Sequence, residues 1–190
     1  YYAENKEEAG SDLEGMAADL AVVSDSEATD PNYQSNDYAD LLINDSANEI
    51  VESYHCFDKL YPASITKVMT ALLTLEHGNM DDEITLKHDI NLTEDGAVIS
   101  TLTKGDTVTV GQVFHTMLIK SANDCAVILA EYVAGSEAKF IDMMNERARE
   151  LGATHTHFVN PNGLHNNDHY TTAYDLYLIF KEAVKHEEFV

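Results

Sequence analysis

Val68, Met69, Leu72, Leu73 and Leu75 make the stretch from about Ser64 to His77 apolar over much of a helix's circumference, which predicts a central, buried helix stopped by Gly78. Val113, Met117 and Leu118 mark a second helix, and Ala126 to Val133 a third that ends at Gly135. Ser136 is placed to cap a fourth, in which Phe140, Met144, Ala148 and Leu151 share one face before Gly152. A last helix begins near Thr172 and lines up Leu176, Ile179, Phe180 and Ala183. Strand signals are shorter. Leu41-Leu42-Ile43 and Ile50-Val51 flank the turn-rich Asn44–Asn48, which predicts a β-hairpin, and Ile84-Thr85-Leu86 and Thr107–Val110 read as two further strand pieces. A hairpin followed mostly by helices predicts an α+β domain with few strands of its own.

Residues 1–38 show no sustained period, and their acids face a single base, Lys6. They are expected to form a disordered acidic leader or linker, with the domain running from 39 to 190. The net charge of −23 over 190 residues repels nucleic acid and anionic lipid headgroups, so no nucleic-acid partner is expected. No apolar run approaches the ~20 residues of a membrane span, so any membrane contact is expected to come only through segments outside this chain. No secretory signal is visible at Tyr1. Cys56 and Cys125 allow at most one disulfide, and Cys125 lies in an apolar helical run where a buried free thiol is expected. His155-Thr156-His157 offers two nitrogen ligands but no HExxH is present, so neither a metal nor another cofactor is called for.

The candidate chemistry lies in Ser64-Ile65-Thr66-Lys67 and in Ser121-Ala122-Asn123. A hydroxyl and an amine three residues apart on a helix share one face. A lysine among apolar neighbours has its charged form disfavoured and can act as the base that turns serine into a nucleophile. Either motif alone has an ordinary explanation, an N-cap for the serine and a solvated first-turn lysine. The chain carries lookalikes of both. Ser136-Glu137-Ala138-Lys139 reads as a cap with a surface lysine, and Ser46-Ala47-Asn48 as turn chemistry. Ser64 differs in opening a deeply apolar helix, whose N-terminal dipole and free N–H groups favour a developing oxyanion.

Leu60 to Thr70, with Pro62-Ala63-Ser64-Ile65-Thr66-Lys67 at its centre, resembles the active-site segment of the low-molecular-mass penicillin-binding proteins, the serine D-alanyl-D-alanine carboxypeptidases. Ser121-Ala122-Asn123-Asp124 is similar to their second motif. His157 to Leu164 and His169 to Leu176 resemble stretches further along the same domain. Four segments in the right order, from about residue 39 onward, are far more specific than any one.

The resemblance implies a β-lactamase/transpeptidase-like fold, an antiparallel sheet with a helical subdomain, acting outside the cytoplasm in the cell envelope. Ser64 would be the acylated nucleophile and Lys67 its base. Ser121 would relay a proton to the leaving D-alanine, and Asn123 would bind the acyl chain's amide. His157 and Asp175 are read as structural. The partners implied are the peptidoglycan stem peptide and, as covalent inhibitors, β-lactam antibiotics. The family's third motif, Lys-Thr-Gly on a central strand, has no counterpart between Tyr1 and Val190. The chain is therefore expected to be the N-terminal part of such a domain, without the later strands and poorly active by itself. A β-lactamase-like hydrolase and a non-catalytic cell-wall-binding module are the competing readings.

Overall fold

The computed structural model describes residues 38–92 and 97–190. The expected leader lies outside them, except for Tyr38 at its end. The chain divides into two compact units, Tyr1–Asp58 and Lys59–Val190.

In the first unit, β1 (Asp40–Asn44) and β2 (Glu49–Tyr54) form the expected antiparallel hairpin, with a register shift between Leu42 and Ile43. The connection is a single 3₁₀ turn, Asp45–Ala47, closed by Asn48 in the left-handed region, a conformation that its short polar side chain tolerates.

The second unit is built around α1 (Lys67–His77), whose residues from Lys67 to Thr74 are all buried. Its two inward threonines are satisfied: Thr70 Oγ1 donates to the Pro161 carbonyl at 2.6 Å and Thr74 Oγ1 to the Thr70 carbonyl at 2.7 Å. Gly78 ends the helix as expected, but not through a left-handed cap. Its backbone is extended (φ −108°, ψ 177°), and a Cβ there would lie 2.8 Å from both the Thr74 carbonyl and the Tyr132 ring. Close approach, not φ, calls for the glycine.

β3 (Glu83–Thr85) and β4 (Thr107–Thr109) pair antiparallel. The strand expected to reach Val110 stops one residue earlier, because Thr109 and Gln112 form a reciprocal capping box that starts α2 (Val110–Lys120). After Ser121 and Ala122 comes α3 (Asn123–Ala134), three residues earlier than the apolar run indicates, so Asn123 and Asp124 fall in its first turn. Val113, Phe114, Met117, Cys125, Ile128 and Leu129 join the two helices in one apolar cluster with Leu86.

Ser136 accepts the Lys139 backbone N–H and opens α4 (Glu137–Glu150). Thr172 caps α5 (Ala173–Ala183) in the same way. Arg147 on α4 makes a bidentate pair with Glu76 on α1, with Nη2 at 2.6 Å and Nε at 3.0 Å, and its Nη2 lies 3.8 Å from Glu182 on α5. This partly buried fork fixes three helices with directional, charge-assisted bonds. A long loop between α4 and α5 returns over the start of α1 and is pinned by backbone bridges Leu60–Thr171 and His157–Tyr170.

Candidate active site

Ser64 stands in a 3₁₀ turn, Ala63–Thr66, that runs directly into Lys67 as the first residue of α1. The sequence places Ser64 in the α-helix itself, and the tighter turn matters to the chemistry. With three residues per turn, positions i and i+3 eclipse, which sets the Lys67 amine over the Ser64 hydroxyl at 3.1 Å. Ala63 begins the turn at φ 47°. Opposite it, Gly163 (φ +85°) comes so close that a Cβ would overlap the Ala63 carbonyl.

Lys67 is 3% exposed. Its Nζ donates to Ser64 Oγ, to Asn123 Oδ1 at 2.9 Å and to the Asn162 carbonyl at 2.7 Å. All three acceptors are neutral, and burial pulls the amine down to a pKa of about 8. As an ammonium it has three donors for three acceptors. As a free amine it keeps two N–H bonds, to Asn123 and Asn162, and turns its lone pair toward the Ser64 hydroxyl. Either protonation state fits the same cage.

Ser121 closes α2 in the left-handed region (φ 57°, ψ 31°) and donates from Oγ to Ser64 Oγ at 3.0 Å. Ala63 and Ser121 both hold this unfavourable backbone, costing on the order of 1–3 kcal/mol each, and both flank Ser64. Asn123 donates from Nδ2 to the Val98 carbonyl at 3.0 Å, while its backbone N–H reaches the same oxygen at 2.8 Å. A carbonyl can only accept, so Nδ2 is fixed on that side and Oδ1 faces Lys67. The Val98 loop is held in turn by Asp124, whose carboxylate accepts the Ser100 backbone N–H at 2.9 Å and the Ser100 hydroxyl at 2.5 Å.

The four residues singled out from the sequence thus meet at one point: Ser64, Lys67, Ser121 and Asn123. The lookalikes do not. Ser136 is a helix cap beside an exposed Lys139, and Ser46 to Asn48 lies in the hairpin turn. Cys56 and Cys125 are buried and not joined in a disulfide, and desolvation with the neighbouring Asp124 charge pushes Cys125 up to about 12. His157 is a bonded ring, its Nδ1 2.6 Å from the Asp168 carbonyl. Asp175 is fully buried in the first turn of α5 and accepts the His155 N–H and the Thr156 hydroxyl. Sequence reasoning missed the Asn162 carbonyl, the Val98 loop and His169, whose Nε2 lies 2.7 Å from Thr66 Oγ1. The Pro-Asn-Gly run at 161–163 was the available signal for the first of these.

The Peptidase S11 family, described as D-alanyl-D-alanine carboxypeptidase, matches residues 24–189. The D-alanyl-D-alanine carboxypeptidase DacF of Bacillus subtilis is 35% identical over 153 residues, covering 77% of this chain and 39% of that protein. DacC of Escherichia coli is 32% identical, covering 76% and 38%. Among solved structures, the D-alanyl-D-alanine carboxypeptidase DacD from Francisella tularensis superposes with a TM-score of 0.75 at 28% identity, over 85% of this chain and 40% of that one. Penicillin-binding protein D2 from Listeria monocytogenes in its cefotaxime-bound form gives 0.71 at 27% identity, over 82% and 65%. The chain spans about two-fifths of the length of the curated relatives it matches.

Proposed function

Because the chain belongs to the S11 family of D-alanyl-D-alanine carboxypeptidases, we propose that Ser64 is the nucleophile of a carboxypeptidase that removes the terminal D-alanine of peptidoglycan stem peptides. Its fold is the α+β, transpeptidase-like fold of the penicillin-binding proteins. One observation carries the reading: a buried lysine, lowered to about 8 and surrounded by neutral acceptors, has its amine against the serine hydroxyl.

Ser64 Oγ attacks the carbonyl carbon of the penultimate D-alanine while its proton passes to the free Lys67 amine. The tetrahedral adduct collapses, the C–N bond breaks, and the departing D-alanine nitrogen receives a proton from Lys67 through Ser121. Water, deprotonated by the same amine, then hydrolyses the ester and restores Ser64. Asn123 keeps one Nδ2 hydrogen for the acyl chain's amide while its Oδ1 steadies the base. A β-lactam undergoes the same attack, but its leaving nitrogen stays tethered to the acyl group, which makes a long-lived adduct. Such a substrate places the protein's action outside the cytoplasm, in the cell envelope. Among the described residues no helix is long and apolar enough to cross a membrane.

The decisive test is digestion of the penicillin-treated protein followed by mass spectrometry, together with D-alanine release from diacetyl-Lys-D-Ala-D-Ala. An adduct on the peptide containing Ser64 with D-alanine released supports the proposal. An adduct on Ser136, or none, overturns it, and an adduct lost within seconds would favour a β-lactamase-like hydrolase.

Since only the free amine can take the Ser64 proton, acylation should speed up as pH rises, with a midpoint near 8. Stopped-flow acylation measured from below to above that pH checks this, and a rate that is flat across the range would remove Lys67 as the base.

We propose in addition that residues 1–38 are an acidic leader outside the catalytic domain at 39–190. Their composition supports this, whereas the family match begins at residue 24 and enters the segment. Deletion of residues 1–23 and of 1–38 should both leave penicillin acylation intact. Loss with the longer deletion alone would move the domain boundary to the start of the match.

A further inference from the structure

His169 is 2% exposed and sits behind the catalytic turn, 103 residues along the chain from Thr66. Its Nδ1 accepts the Val159 backbone N–H at 3.1 Å. A backbone N–H can only donate, so Nδ1 carries no hydrogen. In the neutral ring the hydrogen is therefore on Nε2, which donates to Thr66 Oγ1 at 2.7 Å. The Phe158 ring packs edge-on against the imidazole. Burial, reinforced by the charge His157 would carry, pushes His169 down to about 4. It stays neutral wherever Lys67 is a working base.

The two bonds join two segments that both touch Lys67. Thr66 lies between Ser64 and Lys67 in the 3₁₀ turn. Val159 leads into the loop whose Asn162 carbonyl is the third acceptor of the Lys67 amine. The same loop is tied to α1 by Thr70 and pressed on Ala63 at Gly163, and the imidazole bonds the turn and the loop together through one side chain that is not itself one of the reacting groups.

We propose that His169 is a positioning residue, fastening the turn that carries Ser64 and Lys67 to the loop that carries Asn162 and so fixing the Lys67 amine in its dry cage. The proposal rests on the acyl-transfer reading of the site. Its consequence is chemical and not only structural. If the fastening fails, the Asn162 loop lifts and water reaches the amine. Its burial, the cause of the lowered pKa, is relieved, and the base returns toward its ordinary value.

The test compares wild type with His169→Asn, His169→Gln, Thr66→Val and Thr66→Ser, measuring acylation by penicillin over pH and thermal melts on the same samples. Asparagine can still accept from Val159 but has no donor in reach of Thr66. Glutamine keeps a donor near the Nε2 position. Valine has nearly the shape of threonine without its hydroxyl, and serine keeps the hydroxyl. His169→Asn and Thr66→Val should each slow acylation by up to about 10²-fold, as small displacements of reacting groups do. Both should move the pH midpoint upward from about 8, and the two together should cost little more than either alone. His169→Gln, which keeps the Thr66 bond but gives up the acceptor for the Val159 N–H, should likewise slow acylation and raise the midpoint, and Thr66→Ser should stay near wild type. Should His169→Asn fail to fold, Thr66→Val against Thr66→Ser reads the same bond. Wild type acylated with the disrupting variants unchanged in rate and midpoint would overturn the proposal alone, as would a loss that tracks the melting temperature with the midpoint unmoved. Wild type that is never acylated would overturn the acyl-transfer reading and the proposal with it.

Discussion

Replacing Ser64 by alanine should abolish covalent labelling by fluorescent penicillin and lower D-alanine release in the intact protein by about 10⁴-fold or more, the usual scale for deleting a nucleophile. Without Oγ no ester forms, and neither Ser121, 3.0 Å away, nor Lys67 can replace it as an acyl acceptor in the same geometry. Lys67→Ala should be nearly as damaging, because the hydroxyl and the amine act as one unit and their losses do not add. Lys67→Arg should rescue nothing, since a guanidinium stays protonated and has no lone pair for the Ser64 proton. Thermal melts on each variant separate lost chemistry from lost fold. Labelling that survives Ser64→Ala and disappears with Ser136→Ala would transfer the nucleophile to the other Ser-x-x-Lys match.

Gly163→Ala should disable the site without touching a reacting group. A Cβ at this position would sit inside the Ala63 carbonyl and 3.0 Å from Thr66 Oγ1, on a backbone at φ +85° that disfavours any side chain. The backbone penalty alone is about 1–2 kcal/mol. The overlap is with main chain, which cannot rotate aside, so the loop must lift from the turn. That movement takes the Asn162 carbonyl off Lys67. We expect a destabilisation of several kcal/mol, in the range reserved for core disruption, and loss of penicillin acylation even in the fraction that stays folded. Gly105→Ala is the control. It has a similar φ of +95° with nothing within 4 Å of the added methyl, so it should carry the backbone penalty and leave acylation intact. Urea unfolding and stopped-flow acylation on the two variants make the comparison. Equal effects on both would mean that the contact with Ala63 does not matter.

Much of this was legible from local pattern. The helical periods around α1 and α4, the cap at Ser136, the start of the last helix near Thr172 and the hairpin at β1 and β2 depend on neighbours a few residues apart, and they stand where the local pattern puts them. The Ser64–Lys67 pairing is local in the same sense, because i and i+3 meet in any helical turn. The errors were at boundaries where two local signals compete. Val110 has a strand-forming side chain, but the capping box at Thr109 claims it for α2. Gly78 does stop α1, but the close approach of the Thr74 carbonyl and the Tyr132 ring, and not a left-handed cap, is what calls for a glycine there.

The sequence by itself determined which chemical groups are present: a serine hydroxyl with a lysine amine three residues on, and a second hydroxyl with an amide. Tertiary structure alone decided the state of that chemistry. The Lys67 amine is lowered because the buried part of α1 takes it out of water, and the acceptors that hold it come from Asn123 and from the Asn162 backbone, 56 and 95 residues away. Every residue carries a carbonyl, so no residue type can announce which one will face the amine. The path of the chain chooses Asn162. Val98 for Asn123, and His169 for Thr66, are chosen in the same way. Side-chain identity is written locally, but a desolvated, fully bonded charge exists only where distant segments close around it.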